Sequence, residues 1–205
     1  MAAISQLGGR PRDPELDRRI LAATRQLLAE RGYQGLSIGG VARAAGTTRP
    51  TVYLRFNGKE DLATKAIAGM TVDDPLRVTD DIHADLVAEL RHFRTAVTRP
   101  HGMSFVGTVL AQEHLTPSLI ARFRERLLVP RRRRLAETLQ RGIQNGTLRA
   151  ELDVEVVVGM LAGSLYAHYL GTGEVPADWP ERVVASLWPA IRSSDAAPPA
   201  AATPR

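Results

Sequence analysis

A short helix, a glycine break and a second short helix, all between Ser37 and Lys59, constrain this chain more than any other feature of it. Ser37 is a residue type that caps helix N-termini, and behind it Ile38, Val41, Ala42 and Ala45 fall on one face before Gly46 stops the helix. Gly39 and Gly40 weaken its first turn by about 1 kcal/mol each relative to Ala, and Gly40 stands where the Glu of a capping box would sit. From about Thr48 a second helix runs to Phe56, with Val52 and Phe56 one turn apart as its apolar contacts, and Asn57-Gly58 breaks it. Pro50 falls in its first turn, where the absent N–H costs nothing.

A turn of about three to four residues between two such helices lets the second lie in a DNA major groove while the first crosses the backbone. The outward residues suit that placement. Arg49 can reach guanine O6 and N7; Thr47, Thr48 and Thr51 can meet phosphates or a thymine methyl; Tyr53 carries a phosphate-reaching hydroxyl on an aromatic body. The predicted DNA-contacting set is Ser37, Thr47, Thr48, Arg49, Pro50, Thr51, Tyr53, Leu54 and Lys59.

Charge points the same way. Residues 1–70 hold 11 Arg or Lys against 6 Asp or Glu, whereas residues 71–205 hold 16 of each, so the whole excess of +5 sits in the first third. A basic head on a neutral body is the electrostatic footprint of polyanion binding. Arg10 and Arg12, in the arm Gly9-Arg10-Pro11-Arg12, join the candidate set as a minor-groove contact, with an inert arm as the alternative.

Elsewhere the periodicity is helical, with no β-type alternation of useful length. Asp13 to Arg31 places Leu16, Ile20, Ala23, Leu27 and Leu28 on one face behind Pro14, and Gly32 ends it. A longer helix begins near Lys59, and Ile82, Leu86, Leu90, Phe93 and Val97 form a further stripe. Thr116-Pro117 opens a helix that continues to Asn145, kinked at Pro130; Asp153 and Asp178 look like caps for helices over roughly 153–170 and 178–192. About nine helices and no internal repeat follow, an all-α chain: a three-helix DNA-binding head with a helix-turn-helix, then a helical bundle. The expected divisions are a flexible basic arm at 1–12, the helix-turn-helix domain at 13–58, a helical domain at 59–192 and a disordered Pro- and Ala-rich tail at 193–205.

The run Gly32 to Leu62 resembles the DNA-binding head of the TetR/AcrR transcriptional regulators. Ala42, Ala45-Gly46, Thr51-Val52-Tyr53, Phe56 and Lys59-Glu60-Asp61-Leu62 carry the likeness, matching that family's A-x-x-A-G, T-hydrophobic-Y, F and K-E-D-L pattern. Gly39-Gly40 departs from the charged or polar pair common there, and Pro50 stands where the family often has Gly. Pro117 to Asp153 is similar to regulatory domains of one branch of the family. The resemblance implies that the helical bundle at 59–192 is a regulatory, ligand-binding and dimerisation domain, and that the chain is a homodimer that binds a palindromic operator as double-stranded DNA and is released by a small-molecule effector. It also implies a four-helix dimer seam, for which Gly159 and Gly163 on the penultimate helix and Val184, Leu187, Trp188 and Ile191 on the last are the candidates. Closing the monomer's own core is the alternative use of those residues.

Phe93, Phe105, His114, Phe123 and Tyr166 are candidate pocket residues, with a core role as the alternative for the aromatics. Arg131 to Arg134 goes round more than three-quarters of a helix, so it reads as a solvated surface, a pocket anion site or a dimer salt bridge. The chain has no Cys, and its five His make no H-x-x-x-H pair, so neither a metal nor a cofactor is expected. It shows no nucleophile elbow, P-loop, dinucleotide fingerprint or clustered acid pair, which weighs against an enzyme on a helical bundle. An architectural DNA-binding dimer without effector is the other rival. The amino terminus lacks the apolar stretch of a signal peptide, and Val156 to Ala167 is too short an apolar run to cross a bilayer. A cytoplasmic protein without membrane attachment is the expectation.

Overall fold

The computed structural model describes residues 13–68, 76–100 and 102–194. The arm with Arg10 and Arg12 and most of the tail lie outside the described residues. The chain divides between Gly69 and Met70 into two compact units.

The first unit holds helices α1 (Pro14–Gly35), α2 (Ile38–Ala44), α3 (Arg49–Tyr53) and α4 (Gly58–Ala68). The Asp13 carboxylate accepts from the backbone N–H groups of Glu15 (3.0 Å) and Leu16 (3.3 Å), satisfying two of the donors a helix start leaves open. Gly32 breaks the regular path of α1 with φ 65° and ψ −179°, a conformation closed to side-chain-bearing residues, so the helix through Arg31 ends as its sequence indicates and one further turn follows. Ile20, Leu28, Val41, Val52, Phe56 and Leu62 form the core of the unit.

α4 belongs with this head. The sequence places a domain boundary at 58/59, but Leu62, Ala63, Ala66 and Ile67 are all buried and α4 packs chiefly on α1. Its start is fixed by Gly58 at φ 87° and by the Asn57 N–H donating to Asp61 Oδ2 at 2.8 Å.

The second unit is organised around α5 (Ile82–Thr98), which packs against α6 (Gly102–Leu110), α8 (Val129–Gln144), α9 (Val154–Thr172) and α10 (Trp179–Ile191). α7 (Pro117–Phe123) leads into a π-helical turn, Arg124–Leu128, and on without interruption into α8. The kink expected at Pro130 takes this form for a physical reason. Proline cannot donate to the carbonyl four residues back and its ring crowds that turn, so the preceding turn widens. Leu86, Leu90, Leu135, Leu139, Leu161 and Val184 fill the core between these helices.

Asp153 caps α9 by accepting from the Val156 N–H at 3.1 Å, and Gly173 closes it at φ 82°. Asp178 occupies the N-cap position of α10, where its carbonyl accepts from the Arg182 N–H at 3.1 Å but its side chain makes no cap bond. At 19 residues α9 is long and apolar enough to cross a membrane, longer than the apolar run that defines it in sequence. Val157, Val158, Leu161 and Leu165 bury one face of it, which makes it a core helix with a second, exposed apolar face. Ser193, expected to open the tail, is held by its N–H donating to Thr147 O at 2.9 Å. Among the described residues there is no strand, only one bridge between Leu148 and Arg192.

Candidate nucleic-acid interface

The α2–α3 pair is held rigidly from within and presents its chemistry outward. Ser37 Oγ accepts from Gly40 N–H at 3.1 Å, so the residue predicted to meet DNA is first a helix cap. Gly46 turns the chain at φ 65°, and Thr47 N–H donates to Ala42 O at 2.9 Å to close the turn. Thr48 then caps α3: its hydroxyl accepts from Thr51 N–H at 3.4 Å and lies 2.9 Å from the Thr51 hydroxyl. Val52 faces wholly inward, as the apolar spacing predicts.

On the other side Thr48, Arg49 and Pro50 are exposed, Tyr53 is 60% exposed and Leu54 78%, while Thr47 and Thr51 are half-buried. Tyr53 and Leu54 thus leave apolar surface open on a helix whose inner residue Val52 is fully packed. Of the predicted α3 set, Thr48, Arg49, Pro50, Tyr53 and Leu54 are exposed around buried Val52, and Thr51 is half-buried.

Two members of the set are less free than the sequence indicates. The guanidinium of Arg49 folds back against Gly39 of α2, where a β-carbon would stand 2.5 Å from Nε and 2.8 Å from Cζ. Lys59 donates from Nζ to Gln34 O at 3.3 Å and sits 4.5 Å from the centroid of the Tyr33 ring, clamping the start of α4 to the end of α1. Partial burial there pulls the Lys59 pKa below its ordinary value. The Tyr33 hydroxyl is pushed up, first by burial and then by the Glu60 charge. Arg43, exposed in the last turn of α2, is absent from the motif-derived set, though its basic charge beside the exposed residues of α3 is the available signal.

In the second unit Phe105, Phe123 and Tyr166 line one cleft, together with Arg131. Phe93 lies beneath, buried edge-to-face against Tyr166 with ring centroids 5.4 Å apart, so it is core first. His114 is exposed in the turn after α6 and is not among the residues lining that cleft, because the helix ends at Leu110 and its facing pattern ends with it. The Arg run splits: Arg132 and Arg133 are exposed, Arg131 is half-buried and lines the cleft, and Arg134 is half-buried with its side chain 40% exposed. Arg134 Nε donates to both oxygens of Glu89, at 3.2 and 3.0 Å.

The seam candidates divide as well. A β-carbon at Gly159 or Gly163 would meet open space, and Leu187 is half-buried. Val184, Trp188 and Ile191 are buried in their own chain's core, which excludes them from a seam, because the α10 stripe they form faces inward to α5. Val156 and Met160 are exposed on α9, and their apolar side chains extend the Gly159 and Gly163 surface. Among the described residues no group of three His, Cys, Asp or Glu could hold a metal ion.

Residues 20–66 match the bacterial regulatory proteins of the tetR family, and residues 77–187 match the tetracyclin repressor-like C-terminal domain. The HTH-type transcriptional regulator YdeS of Bacillus subtilis (strain 168) is 28% identical over 167 residues, spanning 81% of this chain and 84% of its own length. The crystal structure of a transcriptional regulator from Saccharomonospora viridis in complex with choline is similar at TM-score 0.70 and 21% identity, over 88% of this chain and 100% of that one. FadR from Bacillus subtilis in complex with stearoyl-CoA is similar at TM-score 0.67 and 21% identity, over 83% and 96% of the two chains. At those identities the two solved structures speak for the fold.

Proposed function

The chain belongs to the TetR family of helix-turn-helix transcriptional regulators, and we propose that it acts in the cytoplasm as a homodimeric repressor released from a palindromic operator by a small-molecule effector. The observation that carries this reading is the outer face of α3, where Thr48, Arg49, Pro50, Tyr53 and Leu54 stand exposed on a helix anchored by buried Val52. In the reading, Arg49 addresses a base edge, while Tyr53, Lys59 and the threonine hydroxyls address phosphates.

Dimerisation uses the open face of α9, with Val156, Gly159, Met160 and Gly163, together with Leu187 of α10. Exposed apolar side chains beside glycines permit close helix approach, which is the chemistry of a helix–helix seam. Two heads then require two half-sites, about one helical turn apart when both engage one side of the duplex. The relatives solved with choline and with stearoyl-CoA support an effector without naming one for this chain. Release follows from linkage: an effector that prefers the DNA-free dimer weakens operator binding by the same factor by which DNA weakens effector binding.

Selection from randomised duplexes with the purified chain tests the reading. An inverted repeat with a fixed spacing is the expected result. Binding without sequence preference favours an architectural role instead.

A further inference from the structure

Arg131, at the third position of α8, turns its side chain inward, and its surroundings leave it short of partners. Its Cζ lies 4.1 Å from the centroid of the Phe93 ring, and its side chain bonds Tyr166. Nε is buried with no hydrogen-bond partner. The nearest carboxylate is no remedy, because Glu89 takes both its bonds from Arg134, and Asp85, one turn before it, is held by Arg141 at 2.6 Å. Half-buried Arg131 and Arg134, whose side chain is 40% exposed, therefore have one carboxylate between them. One positive charge is left over, and the cation without a bonded carboxylate is half-buried Arg131.

The Tyr166 bond and the Phe93 ring offset part of the desolvation cost of this guanidinium, and the buried Nε N–H is left without a partner. Arg131 lines the cleft that Phe105, Phe123 and Tyr166 also line, with apolar walls otherwise. We propose that Arg131, assisted by the Tyr166 hydroxyl, is the anchor for the carboxylate of a small apolar acid, and that this acid is the effector. The inference rests on the effector-released regulator proposed above and gives the effector its chemical class.

Two quantities narrow the class. The excess charge is a single positive one, which a carboxylate neutralises and a phosphate dianion exceeds. The cleft encloses only about 30 Å³ of free space, room for about one water, so an acid of aromatic or short aliphatic size enters only as the walls move apart. The π-helical turn Arg124–Leu128 adjoins one wall: Phe123 precedes it, Leu127 is part of it, and both line the cleft. A widened turn of this kind has poorer backbone bonding to lose than regular helix.

The experiment measures the affinity of the full chain for benzoate, phenylacetate and hexanoate, for their neutral amides and for phenyl phosphate, by thermal shift and ligand-observed NMR. Expected is saturable binding of at least one of the acids, none of the amides and weaker binding of phenyl phosphate. Arg131→Met, which keeps the stem and drops the charge, should weaken that acid by about tenfold or more, and Tyr166→Phe by about fivefold, as loss of a charged and of a neutral bond implies. A melting transition for each variant guards against misfolding, and Arg131→Lys, retaining charge without the planar fork, should fall between. Equal binding of acid and amide, equal binding to Arg131→Met, tighter binding of phenyl phosphate, or no binding of any acid overturns the anchor. An acid that binds through Arg131 yet leaves operator complexes intact keeps the anchor and overturns its role as effector site.

Discussion

Arg49 of the recognition helix rests its guanidinium on Gly39 of the helix before it, in the volume that any side chain at position 39 would fill. Gly39, one of the two glycines that weaken α2 by their propensity, thus provides a seat for Arg49. Gly39→Ala should leave the fold intact, since what it meets is the far end of a flexible side chain, and should stabilise α2 by about 1 kcal/mol. Arg49 must then leave its seat, so the half-site preference is expected to change while affinity for random duplex stays. In an Arg49→Ala background, itself expected to relax one base pair of each half-site by about 1 to 3 kcal/mol, Gly39→Ala should have no further effect on preference. Selection from randomised duplexes on all three variants is the check, and an unchanged motif for Gly39→Ala would remove the seat's role in readout.

Lys59 has two tasks that can be separated. Its bond to Gln34 O and its position over Tyr33 tie α4 to α1, so Lys59→Met should cost about 1 kcal/mol of stability in a urea melt. If its remaining donors also reach a phosphate, the salt dependence of DNA binding should fall by about one unit. Tyr53→Phe, by contrast, should weaken operator and random duplex alike with no change in stability, because the ring is exposed and only a phosphate bond is lost. Loss of stability for Lys59→Met with an unaltered salt slope would leave it the clamp alone.

Much of the head is legible in the sequence because its signals are local. Ser37, Gly46, Thr48 and Pro50 act within one turn of themselves, and caps, breaks and facing follow from spacing. What Lys59 and Arg49 touch depends on where α1 and α2 end in space, which periodicity does not give. In the second unit α6 has no clear sequence signature: Gly102-Met-Ser-Phe-Val-Gly-Thr-Val-Leu is poor in helix formers, and it is the burial of Phe105 and Val109 that holds it. The stripe Val184, Trp188 and Ile191 is visible, but a stripe states that a face is apolar and not whether its own chain or a partner covers it. The same limit hides Arg131, since a run of four arginines looks solvated until the neighbours of each are known.

Burial therefore redirects the test of the dimer. Trp188 is only 9% exposed and packs edge-to-face with His83 at 4.9 Å, so Trp188→Asp should unfold the second unit rather than separate the protomers. Met160, 54% exposed on the open face of α9, is the informative position. Met160→Asp should leave the melting of the monomer unit near wild type, shift sedimentation toward monomer and reduce operator binding far more than binding to random duplex. An intact dimer would place the seam elsewhere.

Asp85 and Glu89 stand one turn apart on the buried face of α5, and their pKa values are displaced in opposite directions. Burial pushes the Asp85 carboxyl up, but bonds from Arg141 and from the Thr79 hydroxyl and N–H outweigh it, and its pKa lies below the ordinary value. Burial of Glu89 prevails over its bonds from Arg134, and its pKa lies above the ordinary value. The signs of their linkage to folding are therefore opposite. Asp85 contributes stability above its unfolded pKa and loses it as pH falls through its lower folded pKa; the Glu89 contribution is whole below its unfolded pKa and is lost as pH rises through its higher folded one. At neutral pH Asp85→Asn should cost about 1.5 to 3 kcal/mol, and the gap to wild type should close on acidification below the ordinary carboxylate range. Glu89→Gln keeps an acceptor for Arg134 while removing the buried charge, so its stability relative to wild type should rise as pH increases from the ordinary carboxylate range toward neutrality. Chemical denaturation of both variants across that range measures the two slopes, and slopes of the same sign would show that the Arg134 pair, not burial, governs Glu89.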